Sequence, residues 1–247
     1  MSGEGRRTQT SPGNSFPMTP PTLDGPRLAP RSGDPRQLIV LLHGYGADGK
    51  DLIELGRQWQ RHLPQAAFVA PNAPERVPMS PVGRQWFALT MREPGERWKG
   101  VTHAQPALDA FLDAELQRYA LAPSALALVG FSQGTMMALH CGLRREAAPV
   151  AIVGYSGLLV LEPGKGRESL KSEARSKPPI LLVHGEADDL IPASALFESA
   201  EVLAAAGIPC EWHLAPRLGH GIDAEGLRQG GEFIVAAFAR ARRAANL

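Results

Sequence analysis

Six short, nearly unbroken apolar runs punctuate the chain: Gln37–Leu42, Ala66–Ala70, Ala125–Val129, Val150–Tyr155, Ile180–His184 and Cys210–Leu214. Runs without polar alternation suit strands covered on both faces, as in parallel sheets. Between them the spacing changes. Leu108, Phe111, Leu112, Glu115, Leu116 and Tyr119 recur three and four residues apart, which predicts one stripe on a helix of about four turns. Further helices are expected over Thr135–His140, over Ser194–Ala206 with Gly207 as its stop, and from Asp223 to about Arg243. Strands alternating with helices predict an α/β fold with a mostly parallel central sheet and helices on both faces. Leu23–Leu28, with Asp24-Gly25 as a turn signal, reads as an antiparallel edge hairpin.

Two stretches break the rhythm. Residues 1–20, rich in Ser, Thr, Pro, Gly and Arg, read as a disordered tail ahead of a single domain over 21–247. They lack the apolar stretch of a secretory signal, and no run approaches a membrane span. Pro71–Gly100 carries Pro74, Pro78, Pro81, Gly83, Pro94 and Gly95 together with Trp86, Phe87 and Trp98. It reads either as a binding loop or lid, or as a loop folded down to complete the core.

Composition narrows the class. With 44% apolar and 21% charged residues in 247, the chain is of the soluble globular kind and long enough for one substantial core. A formal charge of +1 argues against a dedicated nucleic-acid surface. The basic stretch Arg240–Arg243 reads as the end of a helix. Two cysteines, Cys141 and Cys210, make no disulfide framework and are expected as reduced packing residues of a cytoplasmic protein.

The chemistry begins at Gly130-Phe131-Ser132-Gln133-Gly134, a G-x-S-x-G run between a strand and a helix. A serine on such a sharp turn presents its hydroxyl, as in the nucleophile elbow of an α/β-hydrolase. Serine needs a base, and the base needs a group to fix its tautomer, in the chain order serine, acid, histidine. After Ile180–His184 come Glu186, Asp188 and Asp189. Asp188 is preferred, because Leu190-Ile191-Pro192 should pack the loop just beyond it. His220, between Gly219 and Gly221, follows the strand ending near Leu214 and is the expected base, since His213 falls inside that strand. His184 is expected to cap the acid loop, whereas His62, His103 and His140 read as surface residues. For a developing oxyanion, the donors expected are the amides of Gln133 and of Tyr45, the latter in Leu42-His43-Gly44-Tyr45-Gly46-Ala47-Asp48 with Gly44 as its neighbour. No metal or organic cofactor is called for.

These motifs, with Arg84-Gln85-Trp86-Phe87 and Gly154-Tyr155-Ser156-Gly157, together resemble the small bacterial carboxylesterases and acyl-protein thioesterases, also described as phospholipase/carboxylesterase. The resemblance runs from about Leu23 to the C-terminus. It implies Ser132 as nucleophile, Asp188 as acid, His220 as base, Tyr45 and Gln133 as the oxyanion hole, Trp86 lining the substrate pocket, and a homodimer. Ala88, Thr135 and a long Glu93–Lys99 loop depart from the pattern without touching the triad. The reading is a serine carboxylesterase for uncharged short-to-medium chain esters, aryl esters included, in an apolar pocket with little positive charge. Its alternatives are an acyl-protein thioesterase or lysophospholipase and, from another class, a non-catalytic binding protein on a hydrolase scaffold. Ser132 argues against a dienelactone hydrolase, which usually has cysteine at the elbow.

Overall fold

The computed structural model describes residues 21–78, 80–90, 93 and 95–245. The tail expected over residues 1–20 lies outside them. In chain order the strands are β1 (Arg27–Leu28), β2 (Gln37–Leu42), β3 (Ala66–Val69), β4 (Glu75–Arg76), β5 (Arg84–Gln85), β6 (Leu126–Phe131), β7 (Ala151–Tyr155), β8 (Ile180–Gly185) and β9 (Cys210–Ala215). The helices are α1 (Gly49–Trp59), α2 (Glu96–Arg118), α3 (Gln133–Arg144), α4 (Ser169–Glu173), α5 (Ser194–Ala205) and α6 (Ala224–Ala245). All six expected sheet strands form, with ends shifted by no more than two residues.

Seven strands form one sheet in the order β1-β3-β2-β6-β7-β8-β9, and β4 pairs with β5 apart from it. Every pairing in the large sheet is parallel except β1 with β3. Side chains alternate between two cores at the strand period of two. Leu38, Val40, Leu42, Leu126, Leu128 and Leu182 join the core under α2, α3 and α5. Ile39, Leu41, Ala127, Val129, Val153 and Val183 join the one under α1 and α6. Covering on both faces explains why β2, β3, β6, β7 and β8 read as unbroken apolar runs, whereas β9 is partly exposed.

Around β2 the chain reverses direction across the sheet, since β3 lies on one side and β6 on the other. Such a switch point opens a crevice at the carboxyl ends of the flanking strands, the default ligand site of an open α/β sheet. Leu42 and Gly130 are paired there, so the loop after β2 and the turn after β6 meet over one gap.

Three expectations need correction. β1 is an edge strand antiparallel to β3, with Arg27 opposite Val69, and Leu23–Leu28 makes no hairpin. α2 is far longer than four turns, and Glu96–Lys99 belongs to it rather than to a loop. His140 is buried at 2% exposure, inside α3. Both cysteines are free; Cys141 is fully buried, and burial raises the Cys210 thiol to about 11. Among the described residues no helix is long and apolar enough to cross a membrane.

Candidate active site

The elbow is built by close approach. Ser132 has φ 54 and ψ −115, a conformation side chains rarely adopt, and its N–H donates to the Tyr155 carbonyl at 2.8 Å. Gly134 is required at the turn: a Cβ there would sit 1.9 Å from the Leu42 carbonyl oxygen. Thr135, which departs from the family pattern, has its hydroxyl 2.8 Å from the Gly130 carbonyl and 2.9 Å from that of Tyr155, binding β6 to β7 beneath the serine.

Asp188 follows β8 and has 7% exposure. Its Oδ1 accepts the N–H groups of Leu190 at 3.0 Å and Ile191 at 2.9 Å, while Oδ2 lies 2.8 Å from His220 Nδ1. Burial pushes the carboxyl up, but the Ile191 amide, His220 and the Leu190 amide outweigh it and hold the pKa below its ordinary value. An ionised carboxylate only accepts, so His220 Nδ1 carries the proton and Nε2 is left as a lone pair. Phe131 lies against the imidazole with ring centroids 5.1 Å apart. His184 Nε2 sits 2.8 Å from the Ile191 carbonyl, closing the acid loop. Asp189 and Glu186 are exposed and neither hydrogen-bonds to nor forms an ion pair with His220. Of the Leu190-Ile191-Pro192 run only Ile191 packs inward; Leu190 is 66% exposed.

The loop after β2 is held from below. His43 Nε2 accepts the Ala73 N–H at 3.0 Å, so Nδ1 bears the proton and donates to the Gly44 carbonyl at 2.7 Å; burial lowers the His43 pKa and keeps it neutral. Gly46 N–H donates to the Arg84 carbonyl and Arg84 N–H to that of Ala47, pinning the loop against β5. Gln133 accepts the Trp86 N–H on Oε1 at 2.8 Å and donates from Nε2 to the Phe87 carbonyl at 2.7 Å. Among the described residues, neither Tyr45 N–H nor Gln133 N–H donates to a backbone carbonyl. Gln133 opens α3, where N–H groups have no partner within the helix.

A cleft of about 290 Å³ is lined by Ser132, Gln133, His220, Tyr45, Leu89, Arg97, Met136, Leu190 and Ile191. Among the described residues, larger cavities lie elsewhere, about 560 Å³ beside Trp98 and Leu159 and about 610 Å³ between α1 and α6. Neither contains the serine and imidazole that chemistry needs. Trp86 does not line the cleft, contrary to expectation: it is fully buried, and its indole N–H donates to the His43 carbonyl at 2.9 Å. Gly44 is also outside the wall, lying so close to the elbow that a Cβ would meet Phe131 at 3.0 Å and Ser132 at 3.3 Å. Pro71–Gly100 thus folds Trp86 and Phe87 into the core while lending Leu89 and Arg97 to the cleft. The cationic Arg97 corrects the expectation of a pocket with little positive charge. Leu89, Arg97, Leu190 and Ile191 were missed as lining residues because the folding of the chain brings them to Ser132; Met136 was missed although it lies one helical turn beyond Ser132 on α3. Among the described residues no group of three or more His, Cys, Asp or Glu could hold a metal ion.

Comparisons with known proteins follow the same lines. A family profile described as phospholipase/carboxylesterase matches residues 23–237. The solved structure of esterase PE8 superposes with a TM-score of 0.81 at 42% identity, covering 86% of this chain and 98% of that one. Acyl-protein thioesterase 1 of Gibberella zeae is 25% identical over 228 residues, covering 85% of this chain and 94% of that protein. Esterase YpfH of Escherichia coli (strain K12) is 28% identical over 197 residues, covering 76% and 77%.

Proposed function

This chain belongs to the phospholipase/carboxylesterase family and is a carboxylic ester hydrolase, and on that premise we propose that it is a serine esterase with Ser132, His220 and Asp188 as its triad. The observation that carries the reading is the 2.8 Å bond from His220 to a buried, ionised Asp188, beside a cleft that Ser132 also lines. As the Ser132 hydroxyl attacks the ester carbonyl, His220 Nε2 takes its proton, and Asp188 steadies the imidazolium. The oxyanion is held by the Tyr45 and Gln133 amides, each worth about 3 kcal/mol of barrier. His220 then protonates the leaving alcohol, and the acyl group stays on Ser132. Water, giving its proton to the same Nε2, releases the acid and restores the hydroxyl.

A cleft of about 290 Å³ favours short-to-medium chain esters, aryl esters among them. A thioester substrate is the second reading, favoured by the similarity to an acyl-protein thioesterase across 94% of that protein's length. Two measurements test the proposal. Wild-type protein should react with a fluorophosphonate probe, and Ser132→Ala should abolish that labelling while the protein stays folded; labelling that survives would remove Ser132 as nucleophile. A panel of p-nitrophenyl esters of graded length, set against a long-chain acyl-thioester and a lysophospholipid, should show highest kcat/KM for the short and medium esters. Preference for either long-chain substrate would transfer the assignment to the thioesterase or lysophospholipase reading.

A further inference from the structure

The Gly154-Tyr155-Ser156-Gly157 run at the end of β7 takes no part in the scheme above, yet its serine is placed as deliberately as the nucleophile. Ser156 is fully buried and has φ 44, a left-handed conformation that glycine adopts freely and a serine does not. Its N–H donates to the Val183 carbonyl at 2.8 Å, just as the Ser132 N–H donates to Tyr155 one strand over. Two neighbouring strands therefore end in the same kind of turn, each with a serine at positive φ. The Ser156 hydroxyl donates to the Gly221 carbonyl at 3.0 Å, and Gly221 directly follows His220.

That bond matters because the imidazole segment is otherwise held through side chains, among them Ile222 packed against the core. Among the described residues, none of residues 219–222 makes a backbone–backbone hydrogen bond. Glycines on both sides of His220 leave the main chain free to swing. Asp188 fixes one ring atom, Nδ1, and Phe131 lies against the ring, but an imidazole tied at one atom can still pivot about it. Aiming Nε2 at the Ser132 hydroxyl also requires the backbone to be braced. We propose that Ser156 is a positioning residue, its buried hydroxyl anchoring the Gly221 carbonyl so that His220 presents Nε2 to Ser132. β6 then supplies the nucleophile from its turn and β7 supplies the brace for the base from the matching turn. The inference rests on the Ser132–His220–Asp188 reading.

Two substitutions separate bracing from folding. Ser156→Gly removes the hydroxyl and relieves the left-handed strain, whereas Ser156→Ala removes the hydroxyl and keeps the strain. With p-nitrophenyl acetate, both should lower kcat about 10- to 100-fold, the scale of a misaimed catalytic group. KM should stay within about twofold, because no substrate contact is lost. Fluorophosphonate labelling should slow in the same proportion, and Ser156→Gly should keep or raise Tm. In a His220→Ala background, Ser156→Gly should change the residual rate no further. Unchanged kcat in both single variants overturns the inference. So does a loss of folded protein in both that accounts for the missing activity, or an equal further loss in the His220→Ala background. Wild-type turnover by Ser132→Ala or His220→Ala would remove the triad reading and this inference with it. An unaffected Ser156→Gly in a triad-dependent enzyme would remove the inference alone.

Discussion

Asp188 shows how much one carboxylate settles. Its Oδ1 closes the loop by accepting two amides, and its Oδ2 sets the His220 tautomer. In Asp188→Asn the replacement carbonyl can keep both amides, which turns the NH₂ toward Nδ1. The imidazole must then accept there and carry its proton on Nε2, so the base is lost while the loop stays folded. Turnover of a p-nitrophenyl ester should fall about 10⁴-fold with little change in Tm; steady-state kinetics and a melting curve check both halves. The three residues proposed as the triad were legible because each stands in a loop after an apolar run, Asp188 being singled out from Glu186 and Asp189 by the apolar residues just beyond it. The proposed brace at Ser156 was not, since its partner lies 65 residues away and nothing in the Gly154–Gly157 run points to Gly221. Trp86 as a pocket residue was implied by the resemblance alone, and no residue near it in sequence signals that its indole N–H donates to the His43 carbonyl inside the core.

At the scale of elements, the sheet was plain in the sequence and α2 was not. Strands buried on both faces leave a continuous apolar trace, and five of these were found nearly to the residue, together with the half-exposed β9. The first half of α2 contains Gly100 and Pro106, which read as breakers, while Val101 and Ala104 are too small to mark a stripe. What holds α2 to the sheet edge includes a charge pair. Arg27 on β1 meets Glu115 through Nε at 3.0 Å and Nη2 at 2.7 Å, and Glu115 is 2% exposed. Arg27→Ala leaves that carboxylate buried with only Arg118 beside it, at 3.1 Å. The loss should be about 2 kcal/mol, below that of a fully buried pair because Arg27 is partly exposed. Urea unfolding should show a lower midpoint at an unchanged m-value.

Across the whole molecule, acid is the predicted weakness. His140 Nε2 lies 3.1 Å from Gln105 Oε1, and its Nδ1 has no hydrogen-bond partner among the described residues. Burial first, and Arg144 second, lower its pKa from 6.5 to about 3. The unfolded chain therefore takes up this proton at higher pH than the native one. Stability is full above 6.5 and declines as pH falls toward about 3. Asp188 adds a loss in the same direction at lower pH, since its native pKa is also depressed. His140→Gln should flatten the decline between pH 6.5 and about 3 in a series of thermal melts; an unaltered slope would exclude His140 as its source. The architecture also separates two tasks along the chain. The residues proposed as nucleophile, acid and base stand on turns after β6, β8 and β9, whereas Leu89 reaches the cleft from the passage between β3 and α2 and Arg97 from the first turn of α2. Exchanging only the stretch from Leu89 into the first turn of α2, beyond the Arg84 and Trp86–Phe87 contacts that hold the Tyr45 loop and Gln133, offers a way to redirect the scaffold to new esters by grafting.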